Sequence, residues 1–219
     1  MRAPALLLLL LAACGEGKTA ARPDTDGPDP LALRDPTRAR EACPEVFKVR
    51  FDTSAGPITV EVRRSWSPDG AKRLYNLVRI GYFDDIAFFR VVPGFVAQFG
   101  IHGDPDISRE WSRARIADDP PGESNRRGTL VFATAGPNTR TTQLFFNLGD
   151  NTRLDAMGFT PVGEIVQGLD VLDRLHAGYG ESMPEGRGPV QRRIEQEGNG
   201  YLRANFPNLD FIVRAEIVE

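Results

Sequence analysis

The sequence predicts a mainly β domain with a small number of helices, and three observations lead there. Val46–Phe51 and Ile58–Val62 alternate apolar and polar residues, the period-two pattern of strands with one buried face. Phe88–Gly100 and Gly128–Leu148 carry aromatic and β-branched runs broken by Gly/Pro clusters, which read as strand, tight turn, strand. Two stretches, starting at Ser67 and Gly168, instead keep apolar residues at helical spacing.

Composition narrows the function classes. The 219 residues hold 27 Lys and Arg against 30 Asp and Glu, a net charge of −3, with the signs interspersed. That balance leaves no basic footprint for nucleic acid. Two histidines, His102 and His176, and two cysteines, Cys14 and Cys43, have no company at metal-ligand spacing. No metal and no cofactor are expected. His176 reads as a helix C-terminal residue, and His102 as an exposed residue with no acid or nucleophile near it in sequence.

The chain opens MRAPALLLLLLAACGEG. One arginine, a leucine run too short for a mature membrane helix, and then small residues predict a signal peptide over residues 1–13. Leu11-Ala12-Ala13-Cys14 resembles a bacterial lipobox, in which the cysteine is acylated and becomes the mature N-terminus. Ordinary secretion that leaves Cys14 as a thiol is the alternative. Two or three acyl chains would anchor the protein stably to a bacterial membrane, in the cell envelope and facing the periplasm or exterior. Residues 14–43, with Pro, Gly, Asp and Arg and few large apolar residues, predict a flexible tether. If Cys14 is lipidated, Cys43 has no intrachain partner; a Cys14–Cys43 disulfide is the other option.

Residues 44–219 suit one domain, with no internal repeat. Val46–Phe51 and Ile58–Val62 flank Ser54-Ala55-Gly56-Pro57 and form a β-hairpin. Ser67 as N-cap, Pro68 in the first turn and Gly81 at the end bound a helix whose Leu74, Leu77 and Val78 share one face. Asn76 on that helix reads as structural. In Phe88–Gly100, Arg90 and Gln98 interrupt oily strand surfaces, which places them either at a solvated sheet edge or in a cleft that supplies partners. Residues 101–127, rich in Pro, Asp and Arg, predict a long surface loop. Past the turn at Gly149–Thr152, Gly158–Val166 predicts a strand. Gly168–Ala177 predicts a second short helix with Leu169, Leu172 and Leu175 facing the core. Residues 192–211 predict a helix, a turn at Gly198-Asn199-Gly200 and a return strand packed on the rest. Strand character recurs at Leu209–Val213 and Ala215–Val218.

FFRVVPGFVAQFG at Phe88–Gly100 and ATAGPNTRTTQLF at Ala133–Phe145 resemble the signature blocks of the cyclophilin-type peptidyl-prolyl cis-trans isomerases, F-x-R-x-x-P-G-F-x-x-Q-x-G and A-x-A-G-P-N-T-x-x-x-Q-x-F. Every fixed residue of both is present, in the family's order, and the resemblance runs from about Val46 to about Leu175. It implies a closed eight-stranded antiparallel barrel capped by two α-helices. It also implies rotation of X-Pro peptide bonds, with proline-containing peptides or unfolded exported proteins as partners and no need for a second subunit.

On that resemblance the catalytic residues are Arg90 and Gln98. Phe95, Val96, Phe145 and Leu154 form the slot for the proline ring. The backbone of Ala133, Thr134 and Ala135, together with Gln143, holds the peptide before it. Val96 stands where the family has Met. Phe159 stands where many members have His, keeping an apolar wall. Arg153 replaces the Trp of cyclosporin-sensitive members, which implies weak drug binding. A non-catalytic module that holds Pro-containing segments in the same groove is the alternative function. A hydrolase reading lacks a Ser-His or Cys-His constellation.

Overall fold

The computed structural model describes residues 31–219. The signal peptide, Cys14 and the first part of the tether lie outside the described residues. The predicted hairpin forms as β1 (Val46–Thr53) and β2 (Gly56–Arg63), paired from Val46↔Arg63 to Thr53↔Gly56. The strands continue as β3 (Ile86–Ala87), β4 (Arg90–Val92), β5 (Val96–Phe99), β6 (Thr129–Phe132), β7 (Leu144–Asn147), β8 (Pro161–Gln167) and β9 (Phe211–Val218). They form one antiparallel sheet in the order β3-β9-β1-β2-β8-β6-β7-β5-β4.

The two end strands of that order are consecutive in the chain, with only Phe88 and Phe89 between them. A two-residue link cannot cross a flat sheet, so the sheet rolls into a barrel. Among the described residues nine strands stand where eight were expected, because β3 and β4 are one run interrupted at Phe88-Phe89. The predicted tail strands are the single strand β9.

Inward-facing residues fill the barrel. Phe51, Phe83, Phe99 and Phe146 are fully buried, and Phe99 stacks on Phe146 at 5.6 Å between ring centroids. Helix α1 (Pro68–Arg79) plugs one side with Leu74 and Leu77, as its spacing predicted. Ser67 does occupy its N-cap position, but the Ser67 hydroxyl donates to Asp119 and the cap is Asp119 itself. That carboxylate accepts from the amides of Asp69 and Gly70, each at 3.0 Å.

Several expectations are corrected. The end of the tether, residues 31–43, packs on the domain. Ala32 and Cys43 join the core, Trp111 Nε1 donates to Leu33 O, and Asn76 clamps both backbone groups of Glu41. Alternation and helical period were blind to this because the segment is held by single contacts, not by a periodic face. The loop at 101–127 contains helix α2 (Pro105–Trp111), capped by Asp104 and closed by buried Trp111. Seven residues are too few to show a period, although Asp-Pro is a helix-start signal. His102, read as exposed, is half-buried, and its Nδ1 accepts from Asp104 N at 2.9 Å.

The helix expected at Gly168–Ala177 is a 3-10 turn, Leu169–Arg174, in which Val171 takes the buried place expected of Leu169. Leu172 and Leu175 are buried as predicted. Residues 191–205 form α3 (Gln191–Asn205), bent at Gly198, whose φ of 63° lies in the left-handed region. A Cβ there would stand 2.0 Å from Gly103 O, so the bend lets α3 close on the loop before α2. Ile194, Tyr201, Leu202, Phe206 and Leu209 make a second core with Phe89 and Ile101.

Candidate active site on the outer face of the barrel

Strand alternation builds this site. Phe99 and Phe146 point into the barrel, while Gln98 and Phe145, one residue earlier, point out. Arg90 lies opposite Gln98 in the β4–β5 ladder, and Gln98 lies opposite Phe145 in the β5–β7 ladder. One patch of outer surface therefore carries a guanidinium, a carboxamide and a ring. Val96, Val131, Phe145 and Leu154 form a small apolar cluster there, edged by Phe95, Ala133 and Phe159. The Phe145 and Phe159 rings meet edge-on at 5.8 Å. The predicted slot residues are thus brought together, joined by Val131, which the sequence reading did not single out.

Arg90 and Gln98 are not at a solvated edge. Arg90 Nη1 donates to Gln98 Oε1 at 3.0 Å, and Gln98 Nε2 donates to Gln143 Oε1 at 2.9 Å. The direction of this chain is forced. Arginine only donates, so Gln98 must present its oxygen to Arg90 and its NH₂ to Gln143. Gln143 then accepts with its oxygen, which leaves its own NH₂ outside this chain. Gln98 is only 7% exposed, so a broken link would strand a buried amide.

The remaining side of Arg90 meets a residue absent from the sequence reading. Its Nε and Nη2 donate to the two carboxylate oxygens of Glu181 at 2.6 and 2.7 Å. That fork holds the Glu181 carboxyl below its usual pKa, against a smaller upward push from burial. Arg90 also lies over the Phe95 ring at 5.4 Å, and Arg153 lies over the same ring at 4.8 Å. Arg153 thus covers the slot rim where the resemblance expected Trp.

The segment 133–139 folds on itself. Ala133 N donates to Gln143 O, and Ala135 N donates to Thr139 Oγ1, which also meets Thr134 Oγ1. With those two amides engaged, what Ala133, Thr134 and Ala135 could offer an extended peptide is the Thr134 N–H and their carbonyl oxygens. Beneath the slot runs a second set the sequence reading missed. Asn151 Nδ2 donates to Phe95 O and Asn147 Oδ1, Asn147 donates to Asn125, and Asn125 donates to Phe159 O. Buried and mutually satisfied, these asparagines fix the backbones of two slot walls. Three asparagines next to turns were the signal, but turn propensity explained them equally well.

An antiparallel barrel with an arginine, two glutamines and a small apolar cluster on one patch of its outer face is the arrangement expected of a prolyl isomerase. Comparison with known proteins agrees. The family model described as cyclophilin-type peptidyl-prolyl cis-trans isomerase matches residues 48–196. A peptidyl-prolyl cis-trans isomerase of Arabidopsis thaliana is 33% identical over 58% of this chain and 79% of its own. The peptidyl-prolyl cis-trans isomerase-like 1 of Aspergillus oryzae is 32% identical over 68% of this chain and 96% of its own. Among solved structures, a cyclophilin-type isomerase of Cryptosporidium parvum, determined in the presence of the dipeptide Ala-Pro, superposes with a TM-score of 0.59. It shares 22% identity and covers 78% of this chain and 99% of its own. The chain belongs to the cyclophilin-type peptidyl-prolyl cis-trans isomerases.

Proposed function

We propose that Arg90 carries the isomerisation, with Gln98 and Gln143 fixing geometry, and that the clients are exported proteins met at a membrane surface. Rotation about a peptide bond faces a barrier of about 18–20 kcal/mol because resonance holds it planar. In the twisted state the prolyl nitrogen becomes pyramidal and its lone pair localises. A donor aimed at that nitrogen favours the twisted state over both planar ones, which lowers the barrier by differential binding. No σ bond breaks, so neither nucleophile nor proton transfer is needed.

One observation supports Arg90 above the rest: its donors are only partly spent. Nε, one N–H of Nη1 and one of Nη2 are engaged, so each Nη retains a further N–H beside the apolar slot. The slot of Phe95, Val96, Phe145, Leu154 and Phe159 would take the proline ring, and Gln143 with the carbonyls of 133–135 the residues before it. The Cryptosporidium parvum structure was determined in the presence of Ala-Pro, a dipeptide of the chemistry proposed for this slot.

The test is exchange NMR on an X-Pro tetrapeptide with the full chain and its Arg90→Ala variant. Turnover should fall at least about tenfold in the variant, since losing one preorganised donor can cost about a hundredfold or more. Peptide shifts in both proteins with no acceleration in either would instead make the groove a holding module. The lipid anchor at Cys14 rests on the lipobox-like Leu11–Cys14 sequence alone. Mass spectrometry of the membrane fraction should find an acylated N-terminal Cys14; an unmodified thiol peptide would remove the anchor and leave ordinary secretion, with exported clients met away from a membrane surface.

A further inference from the structure

We propose that Glu181 is a positioning residue for prolyl isomerisation, acting through Arg90 and held in place by α3. The inference rests on the assignment of Arg90 above. Glu181 is 91 residues away from Arg90 in sequence and takes the whole Nε–Nη2 edge of its guanidinium. Because a guanidinium is planar, the second N–H of Nη2 points away from that edge, and so is left for substrate. The fork thus fixes the arginine without occupying the donors the reaction would use. Gln98 alone, holding one N–H, would leave the group free to swing. The carboxylate also offsets the cation's charge, so a proline ring closing the slot does not isolate a bare charge.

The loop around Glu181 is built to present it. Ser182 N donates to Glu181 Oε1 at 2.9 Å, and Gly188 N donates to Glu181 O at 2.7 Å. The chain coils so tightly that a Cβ on Gly186 would stand 2.2 Å from Glu181 O, and one on Gly188 2.8 Å from it. Both ends of the loop are fastened to the α3 region. Tyr179 packs edge-on against Phe206 at 5.2 Å, and Val190 N donates to the Tyr201 hydroxyl at 3.2 Å. Residues 191–211, which have no chemical group in the slot, acquire a purpose as the mount of this loop.

The experiment measures kcat and KM for an X-Pro tetrapeptide by exchange NMR with the full chain, Glu181→Ala, the isosteric Glu181→Gln, and Arg90→Ala. In parallel, the Arg90 Nε–H signal is followed in ¹⁵N spectra. Both Glu181 variants should lower kcat roughly tenfold with KM nearly unchanged, as expected when a reacting group is misplaced but the slot is intact. The Arg90 Nε–H, which donates to Glu181 Oε1, should exchange slowly with solvent in the native protein and rapidly in Glu181→Ala. A rise in KM with kcat unchanged, normal kinetics in the glutamine variant, or faster turnover would each overturn the proposal, the last by making Glu181 a brake. Should Arg90→Ala itself keep full turnover, the Arg90 assignment fails and this inference with it. If Arg90→Ala is inactive and the Glu181 variants are normal, only the role of Glu181 fails.

Discussion

Asp119→Ala offers a quantitative test of how the site's outer loops are held. Asp119 is buried, caps α1 through the amides of Asp69 and Gly70, and pairs with Arg140 Nη2 at 2.9 Å. Arg140 is itself buried, donates to Ala117 O, and lies three residues before Gln143 in the segment proposed to face the peptide. Removing one partner of a buried ion pair costs about 3–5 kcal/mol, because the other charge is left uncompensated. Asp118, at 3.6 Å from Arg140 Nε, takes up part of that charge and argues for the lower end. The lost cap adds about 1 kcal/mol, partly restored if the freed Ser67 hydroxyl turns to the helix amides. The sum is about 3–4 kcal/mol, a large share of the roughly 5–15 kcal/mol that holds a domain together. Urea unfolding followed by far-UV circular dichroism measures it. The double variant Asp119→Ala/Arg140→Met should be more stable than Asp119→Ala alone, since it removes the stranded charge. A loss below about 1 kcal/mol, the range of exposed pairs, would refute the reasoning.

Two further outcomes follow from particular contacts. Gly100 has φ of 104°, and a Cβ on it would stand 2.3 Å from Thr142 O and 2.8 Å from the Gln143 Cα; Gly100→Ala should destabilise the fold and shift Gln143, seen as lower melting temperature and weaker peptide binding by titration NMR. Burial pushes the His102 imidazole below its usual pKa, although Asp104 and Asp85 pull it up, with Arg34 opposing them. The unfolded chain therefore binds more protons near the histidine's ordinary pKa, and the stability from neutral His102 is present above that pKa and lost as pH falls through the lowered folded value. Urea midpoints should rise from pH 5 to pH 7, and His102→Gln should flatten part of that rise; an unchanged slope in the variant would show that other groups set it.

Period two puts Gln98 and Phe99 on opposite faces, and Phe145 and Phe146 likewise, but Leu144-Phe145-Phe146 is apolar on both faces, so the fold decided which of its rings points outward. Where a strand alternates polar and apolar residues, as β1 does, the buried face follows from polarity along that strand alone. The same holds for α1, whose apolar stripe and end signals are local. Arg90 and Gln98 were legible as residues with no business on an oily strand unless something met them. Their being a ladder pair required only the Pro93-Gly94 turn between them.

The sequence by itself therefore determined the strands, the first helix and the polar pair at the centre of the site, all encoded within a few residues of one another. What met that pair was decided only by the tertiary structure. Glu181 sits in a stretch of Gly, Pro and charge with no period, and nothing local marks it from Glu185. It reaches Arg90 because α3 bends at Gly198 and packs on Phe89 and Ile101, holding Tyr179 and Val190 in place. The seating of residues 31–43 has the same origin, since Asn76 holds a backbone 35 residues away from it in sequence. Contacts made once, between segments far apart in sequence, leave no repeating pattern in the chain, and only the folded backbone brings their partners into range.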